Sequence, residues 1–185
     1  MALYQYGYIV NLDGAAMERA AFSSAEYSVS AVAVSSMEMA ILAAKELIAQ
    51  GAVHIDFCGD FDDAKMRDIA EKAGGGVTLA AAKYYSEQLV KLDTINMDRF
   101  VHIVWGRGFD PARDGAEINL PSCEMKIIGV SSLEEACDVA DTLVEQGIEF
   151  IELSFVFGVN ETNAVINAVD SRAAIGSAGL RNEDL

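Results

Sequence analysis

Between Met37 and Ile48 the apolar residues Met37, Ala40, Ile41, Ala44, Leu47 and Ile48 fall three or four positions apart, with polar residues between them. That spacing predicts a helix buried along one stripe. The same pattern returns 96 positions later in Leu133, Ala136, Cys137, Ala140, Leu143 and Val144. The flanking segments follow suit: Val34–Phe61 aligns without a gap on Val130–Phe157, with 11 of 28 positions identical, so the chain is two copies of one unit. Ser35 with Glu38, and Ser131 with Glu134, have the spacing of a capping box that would start each helix. Gln50-Gly51 and Gln146-Gly147 supply the residue type that closes a helix in the left-handed conformation. The short apolar runs Val53–Phe57 and Phe150–Phe155 then suit buried strands, and Val29–Val34 and Met125–Val130 suit the strands before each helix. Each copy therefore holds a strand, helix, strand unit with parallel strands and a right-handed crossover.

Tyr6–Val10 and Phe100–Trp105 read as the first strand of each copy. Asp13–Phe22 suits a short helix, whereas its counterpart, Gly106–Cys123, contains both prolines and reads as irregular. Further on, Asp62–Ala73 and Asn160–Val169 suit helices and Val77–Ala81 and Ala173–Ser177 suit strands. Lys83–Leu92 can form a helix, and Asp93–Asp98 links the copies. The predicted fold is α/β, with two tandem four-stranded βα repeats, 1–95 and 96–185, related by a pseudo-twofold axis and built on open parallel sheets. A compact eight-stranded α/β barrel made of two half-barrels is the alternative.

Composition narrows the function classes. In 185 residues, 52% of them hydrophobic, the chain can bury a sizeable core. Thirteen basic against 29 acidic residues leave a formal charge of −16, which repels phosphate backbones and anionic lipid and argues against nucleic-acid or membrane-surface partners. No apolar run reaches the length of a membrane span, and MALYQYGYIV lacks the basic start and apolar core of a signal peptide, so a cytoplasmic location is expected. Cys58, Cys123 and Cys137 are odd in number and have no metal-like spacing, as expected of reduced thiols.

Alternation along the strand after each repeated helix puts His54, Asp56 and Cys58 on one face, and Phe150, Glu152 and Ser154 on the matching face. A carboxylate thus recurs within an apolar strand, where it must be hydrogen-bonded, paired, protonated or near water. Asp56 and Glu152 are either structural, bonded to neighbouring strands or to Lys126, or the acid/base groups of a ligand site. Cys58, just before a helix start, is the candidate thiol nucleophile, with Ser154 in its place in the second copy. His54 and His102 are the only histidines and are candidate ligand contacts. Arg107, between two glycines, and Lys126 are candidate cations for an anionic ligand group. Asp60, Asp62 and Asp63 read as helix N-terminal charges. The sequence assigns no metal and no cofactor.

Ile55-Asp56-Phe57-Cys58-Gly59-Asp60-Phe61 and Ile151-Glu152-Leu153-Ser154-Phe155-Val156-Phe157-Gly158 resemble, in part, the strand motif I-E-L-C-G-G-F-G of an uncharacterised bacterial family, a domain of unknown function of short α/β proteins. The resemblance implies no particular activity; if single-unit relatives pair as dimers, this tandem duplication would be a fused dimer. Ser154 for Cys and Phe155 for Gly put a shared site in the second copy in question. Phe150–Phe155, FIELSF, is also similar to strand patterns of small aldolase-type barrels, which keeps lyase or isomerase chemistry in view. Three readings follow: a small-molecule-binding protein or enzyme with a pocket between or beside the repeats; a non-catalytic assembly or regulatory protein; and a thiol role through Cys58. A homo-oligomer is compatible with each.

Overall fold

The structure, a computed structural model, describes residues 3–185; Met1 and Ala2, the start of the first predicted repeat, lie outside the described residues. The first half runs β1 (Tyr4–Asn11), β2 (Arg19–Ser23), β3 (Tyr27–Val34), α1 (Met37–Ala49), β4 (His54–Phe57), α2 (Asp63–Ala73), β5 (Thr78–Ala81) and α3 (Ser86–Leu92). The second half runs β6 (Arg99–Trp105), β7 (Gly115–Leu120), β8 (Cys123–Val130), α4 (Leu133–Glu145), β9 (Phe150–Leu153), α5 (Val159–Ala168) and β10 (Ala174–Ser177). Strand order is β2-β3-β1-β4-β5 in one sheet and β7-β8-β6-β9-β10 in the other. The two halves therefore share one topology on two separate open sheets, and the barrel alternative is set aside.

Each sheet has five strands where four were predicted. The additional strand lies in the segment where the two copies diverge most. β2 pairs antiparallel with β3, and β7 pairs antiparallel with β8, so Asp13–Phe22 is not a helix and Gly106–Cys123 is not wholly irregular. The exposed and half-buried residues of β2 alternate, but Ala20 and Ala21 carry too little contrast for that alternation to show in the sequence. Edge pairing satisfies the outer main-chain groups of β3 and β8. The repeated helices start one residue later than the capping-box reading places them. Ser36 accepts the Met39 N–H and Ser132 the Glu135 N–H, while the Ser35 hydroxyl donates to the Ala15 carbonyl at 2.7 Å and Ser131 bonds to the Glu135 carboxylate. The glycines close them as expected, with φ +95° at Gly51 and +81° at Gly147.

α1 and α2 pack together on one face of the first sheet and α4 and α5 on one face of the second, the arrangement that right-handed crossovers produce. Ile9, Ile55 and Phe57 face α1 and α2 with Ala40, Ala44 and Leu47, and Val101, Ile103, Ile151 and Leu153 face α4 and α5 with Ala136, Ala140 and Leu143. That leaves each sheet with a second, uncovered face, and a mainly parallel sheet needs both covered. The two bare faces cover each other. Tyr6, Tyr8 and Val10 of β1 meet Phe100, Val104, Met125, Ile127 and Phe150 of the second half in one continuous core. The sheet edges are also joined: β2 lies against β7, and Lys83 and Ser177 exchange main-chain hydrogen bonds of 2.9 Å. Among the described residues no helix is long and apolar enough to cross a membrane.

Met125 is fully buried between the sheets, whereas Val90 is exposed. Met125→Ala is expected to lower unfolding free energy by about 2–5 kcal/mol, and Val90→Ala to change it by less than about 0.5 kcal/mol, as measured by urea denaturation.

Candidate functional site

The face-to-face sheets bring the strand carboxylates to the middle of the molecule. Asp56 and Glu152 are both fully buried. The Asp56 carboxylate accepts the Tyr6 hydroxyl at 2.6 Å, His54 Nε2 at 2.7 Å and, from the other half, the Phe155 N–H at 2.8 Å. Glu152 accepts the Tyr8 hydroxyl at 2.5 Å, the Tyr84 hydroxyl, and the Gly59 N–H at 2.9 Å, all three from the other half. Gly59 and Phe155 are themselves 96 positions apart. Each carboxylate thus holds the loop that follows the other's strand, the reciprocal pattern of an isologous dimer interface.

The two histidines belong to this network. His102 occupies in β6 the place of Tyr6 in β1, stacks on Tyr8 with ring centroids 3.7 Å apart, and bonds through Nε2 to the Tyr6 oxygen at 2.7 Å. Since the Tyr6 proton goes to Asp56, His102 Nε2 is the donor in that bond, and Nδ1 is left buried without a partner. Burial pulls the His102 pKa down to about 3, which keeps the ring neutral. Burial and the adjoining carboxylates push the Tyr6, Tyr8 and Tyr84 phenols well up, so they stay protonated donors. Burial also raises Glu152, against the pull of the Tyr8, Tyr84 and Gly59 hydrogen bonds.

On one side of this network the junction opens into a cleft of about 470 Å3. Glu152, Tyr84, Cys58 and Gly59 form its floor, Val10, Leu12, Leu89, Leu92, Met97, Phe100 and Phe150 its apolar walls, and Asn11, Asp13, Asp60, Asp98 and Ser122 its polar mouth. Two glycines build the floor. A side-chain carbon at Gly59 or at Gly176 would overlap the Tyr84 ring, so Tyr84 reaches Glu152 only because both positions lack one. At the pseudosymmetric place the counterparts of Gly59, Gly176 and Tyr84 are Phe155, Ala80 and Leu180. There Phe155 lies on the His54 ring with centroids 3.6 Å apart, and no tyrosine reaches Asp56 from across the junction as Tyr84 reaches Glu152. A wider groove on that side runs past His54 and Phe155 to Lys83 and Arg181.

The structure therefore gathers Asp56, Glu152, Cys58, His54 and His102 at the junction, but only Glu152 and Cys58 line the cleft floor. Cys58 is not poised as a nucleophile, since burial, followed by the Glu152 charge, pushes its thiol well up and its sulfur accepts the Asn11 N–H at 3.3 Å. Ser154 is fully buried and its hydroxyl accepts the Trp105 N–H at 3.2 Å. Arg107 is exposed on the loop after β6, and Lys126 pairs with Glu117 at 3.1 Å across β7 and β8, so neither reaches the carboxylates. Tyr6, Tyr8, Tyr84 and Gly176 escaped the sequence reading. Placing Tyr84 beside Leu180 and Gly176 beside Ala80 at the 96-residue offset is the signal that could have singled out two of them.

Glu152→Ala leaves three donors without an acceptor, each costing about 1–3 kcal/mol, so a loss of several kcal/mol is expected in urea denaturation. The isosteric Glu152→Gln separates packing from charge. A carboxyl whose pKa is raised on folding contributes stability fully below its unfolded-state value, and that contribution is lost as pH rises through the folded-state value. The stability of the wild type relative to Glu152→Gln is therefore expected to fall as pH rises above the unfolded-state value of about 4.3.

Comparison with known proteins agrees with the duplication. The model of the family of unknown function DUF6506 matches twice, over residues 4–96 and 98–185. No curated protein matches. Among solved structures, an NtrC family transcriptional regulator from Clostridium acetobutylicum is 11% identical with a TM-score of 0.31, over 99% of this chain and 91% of that one. The ABC domain in complex with L-Trp from Streptococcus pneumonia is 10% identical with a TM-score of 0.30, over 94% of this chain and 73% of that one. At that level neither likeness bears on fold or function. The chain belongs to the family of unknown function DUF6506 and carries two copies of the family's unit.

Proposed function

We propose that this protein binds a small organic molecule in the cleft between its two repeats, with the Glu152 and Tyr84 side chains as the polar floor. One observation carries the reading: of two pseudosymmetric carboxylates, Asp56 is shut off from the groove beside it, with Phe155 on the His54 ring, while Gly59, Gly176 and Tyr84 hold Glu152 hydrogen-bonded at the base of an apolar cleft. A volume of about 470 Å3 lies within the range of small-molecule sites, which combine mostly apolar walls with a few convergent polar groups. Packing alone would be served as well by a covered carboxylate at both ends. The floor supports proton exchange with a bound molecule, because burial raises the proton affinity of Glu152 and Tyr84 is a protonated partner beside it.

Thermal unfolding in the presence of a metabolite library tests the reading. A ligand at a hundred times its dissociation constant should add about 2.7 kcal/mol to stability. Leu89, half exposed on α3 at the cleft wall, is the control: Leu89→Trp should leave the unliganded protein within about 0.5 kcal/mol of the wild type and abolish the response. A library without effect, or a variant that responds as the wild type does, would contradict the proposal.

A further inference from the structure

We infer that the ligand of the junction cleft is an organic amine, a cation with an apolar body; this rests on the cleft reading above. Among the described residues that line it there are four carboxylates, Asp13, Asp60, Asp98 and Glu152, and no lysine, arginine or histidine. The bias is local as well as global. The groove on the opposite side of the junction carries Lys83 and Arg181 beside its acids, so the molecule places cations at one side of the junction and withholds them from the other. An anionic ligand entering the cleft would lose its water shell against four carboxylates with no positive group to meet it.

A metal ion does not fit the same lining. Metal sites need several oxygen, nitrogen or sulfur ligands converging within about 2–2.6 Å of one point, and among the described residues no three His, Cys, Asp or Glu side chains are grouped to do so. The carboxylates are instead distributed, one on the floor and three at the mouth, with apolar side chains such as Leu12, Leu89, Met97 and Phe100 between them. That distribution suits a molecule carrying positive charge on a hydrocarbon frame. In Glu152, Oε1 is taken by the floor groups Tyr84 and Gly59 and Oε2 meets Tyr8 outside the cleft lining, so Glu152 acts on a bound cation through its charge at the floor. The wall residue Phe150 and the phenol of Tyr84 offer aromatic surface beside that point.

Isothermal titration with matched probes tests the inference. The probes are 2-phenylethylamine, 2-phenylethanol and 3-phenylpropionate, and octylamine, 1-octanol and octanoate, each set sharing a skeleton and differing in charge. The amines are expected to bind at least about tenfold more tightly than the alcohols, the carboxylates not at all, and Leu89→Trp to abolish binding. Neutralising the exposed mouth residues together, as Asp13→Asn with Asp98→Asn, should weaken the amines by about three- to tenfold and leave the alcohols unchanged. Raised salt should weaken the amines alone. Alcohols or carboxylates that bind as tightly as the amines, and are lost with Leu89→Trp, would overturn the charge assignment while leaving the cleft as a binding site. Failure of every probe, or binding indifferent to Leu89→Trp, would overturn both.

Discussion

Asp56 and Glu152 each reach across the junction to hold the main-chain N–H that follows the other's strand, at 2.8 Å to Phe155 and 2.9 Å to Gly59. Those N–H groups lie just beyond the ends of β4 and β9, where a buried donor needs some acceptor. A buried carboxylate is costly unless its oxygens are occupied, and here both are satisfied only when the two sheets are in register. The pair therefore makes the junction specific in a way that apolar packing of Val10, Val104, Met125 and Ile127 does not, since apolar contacts tolerate sliding. The same logic explains why the polar groups sit on β1, β4, β6 and β9, the central strands of each sheet, where a shift of register would expose or orphan the most groups.

A duplicated chain is free to let its halves diverge. The first half retains Gly59 and supplies Tyr84, and Gly176 of the second half leaves room for that ring. In the second half, Phe155 stands in the place of Gly59 and lies on His54. The result is one network with two different ends. At the Asp56 end the carboxylate is enclosed by aromatic rings, and at the Glu152 end it underlies the cleft. His102, neutral and stacked between the two ends, couples them through Tyr6.

Much of this was legible in the sequence, for a physical reason: the helix stripe, the closing glycines and the apolar strands are local patterns, and a 96-residue repeat shows them twice. The pairing of Asp56 with Glu152 as related positions also follows from that offset. The rest depends on contacts between distant segments. β2 and β7 are edge strands whose identity comes from the neighbour they pair with, and Ala20 and Ala21 carry almost no alternation of their own. The duplicated serines offered two capping registers, and Ser35 was claimed by the Ala15 carbonyl. Arg107 and Lys126 suggested an anionic ligand on residue type alone, but one is exposed on a loop and the other answers Glu117. Tyr84 is unremarkable as a residue, and becomes a site residue only when the segment between β5 and α3, tied to Ser177 through Lys83, lays it under the cleft.

Native-state hydrogen exchange at Gly59 and Phe155 tests most directly whether the reciprocal carboxylates hold the halves together. Both amides lie in turns outside the sheet ladders, where exchange would ordinarily be fast. If Glu152 and Asp56 hold them as described, these two amides exchange only by global unfolding, as slowly as those of the central strands β1 and β6, and the Gly59 amide becomes fast in Glu152→Ala. Exchange of both at the rate of exposed turns in the wild type would contradict the account.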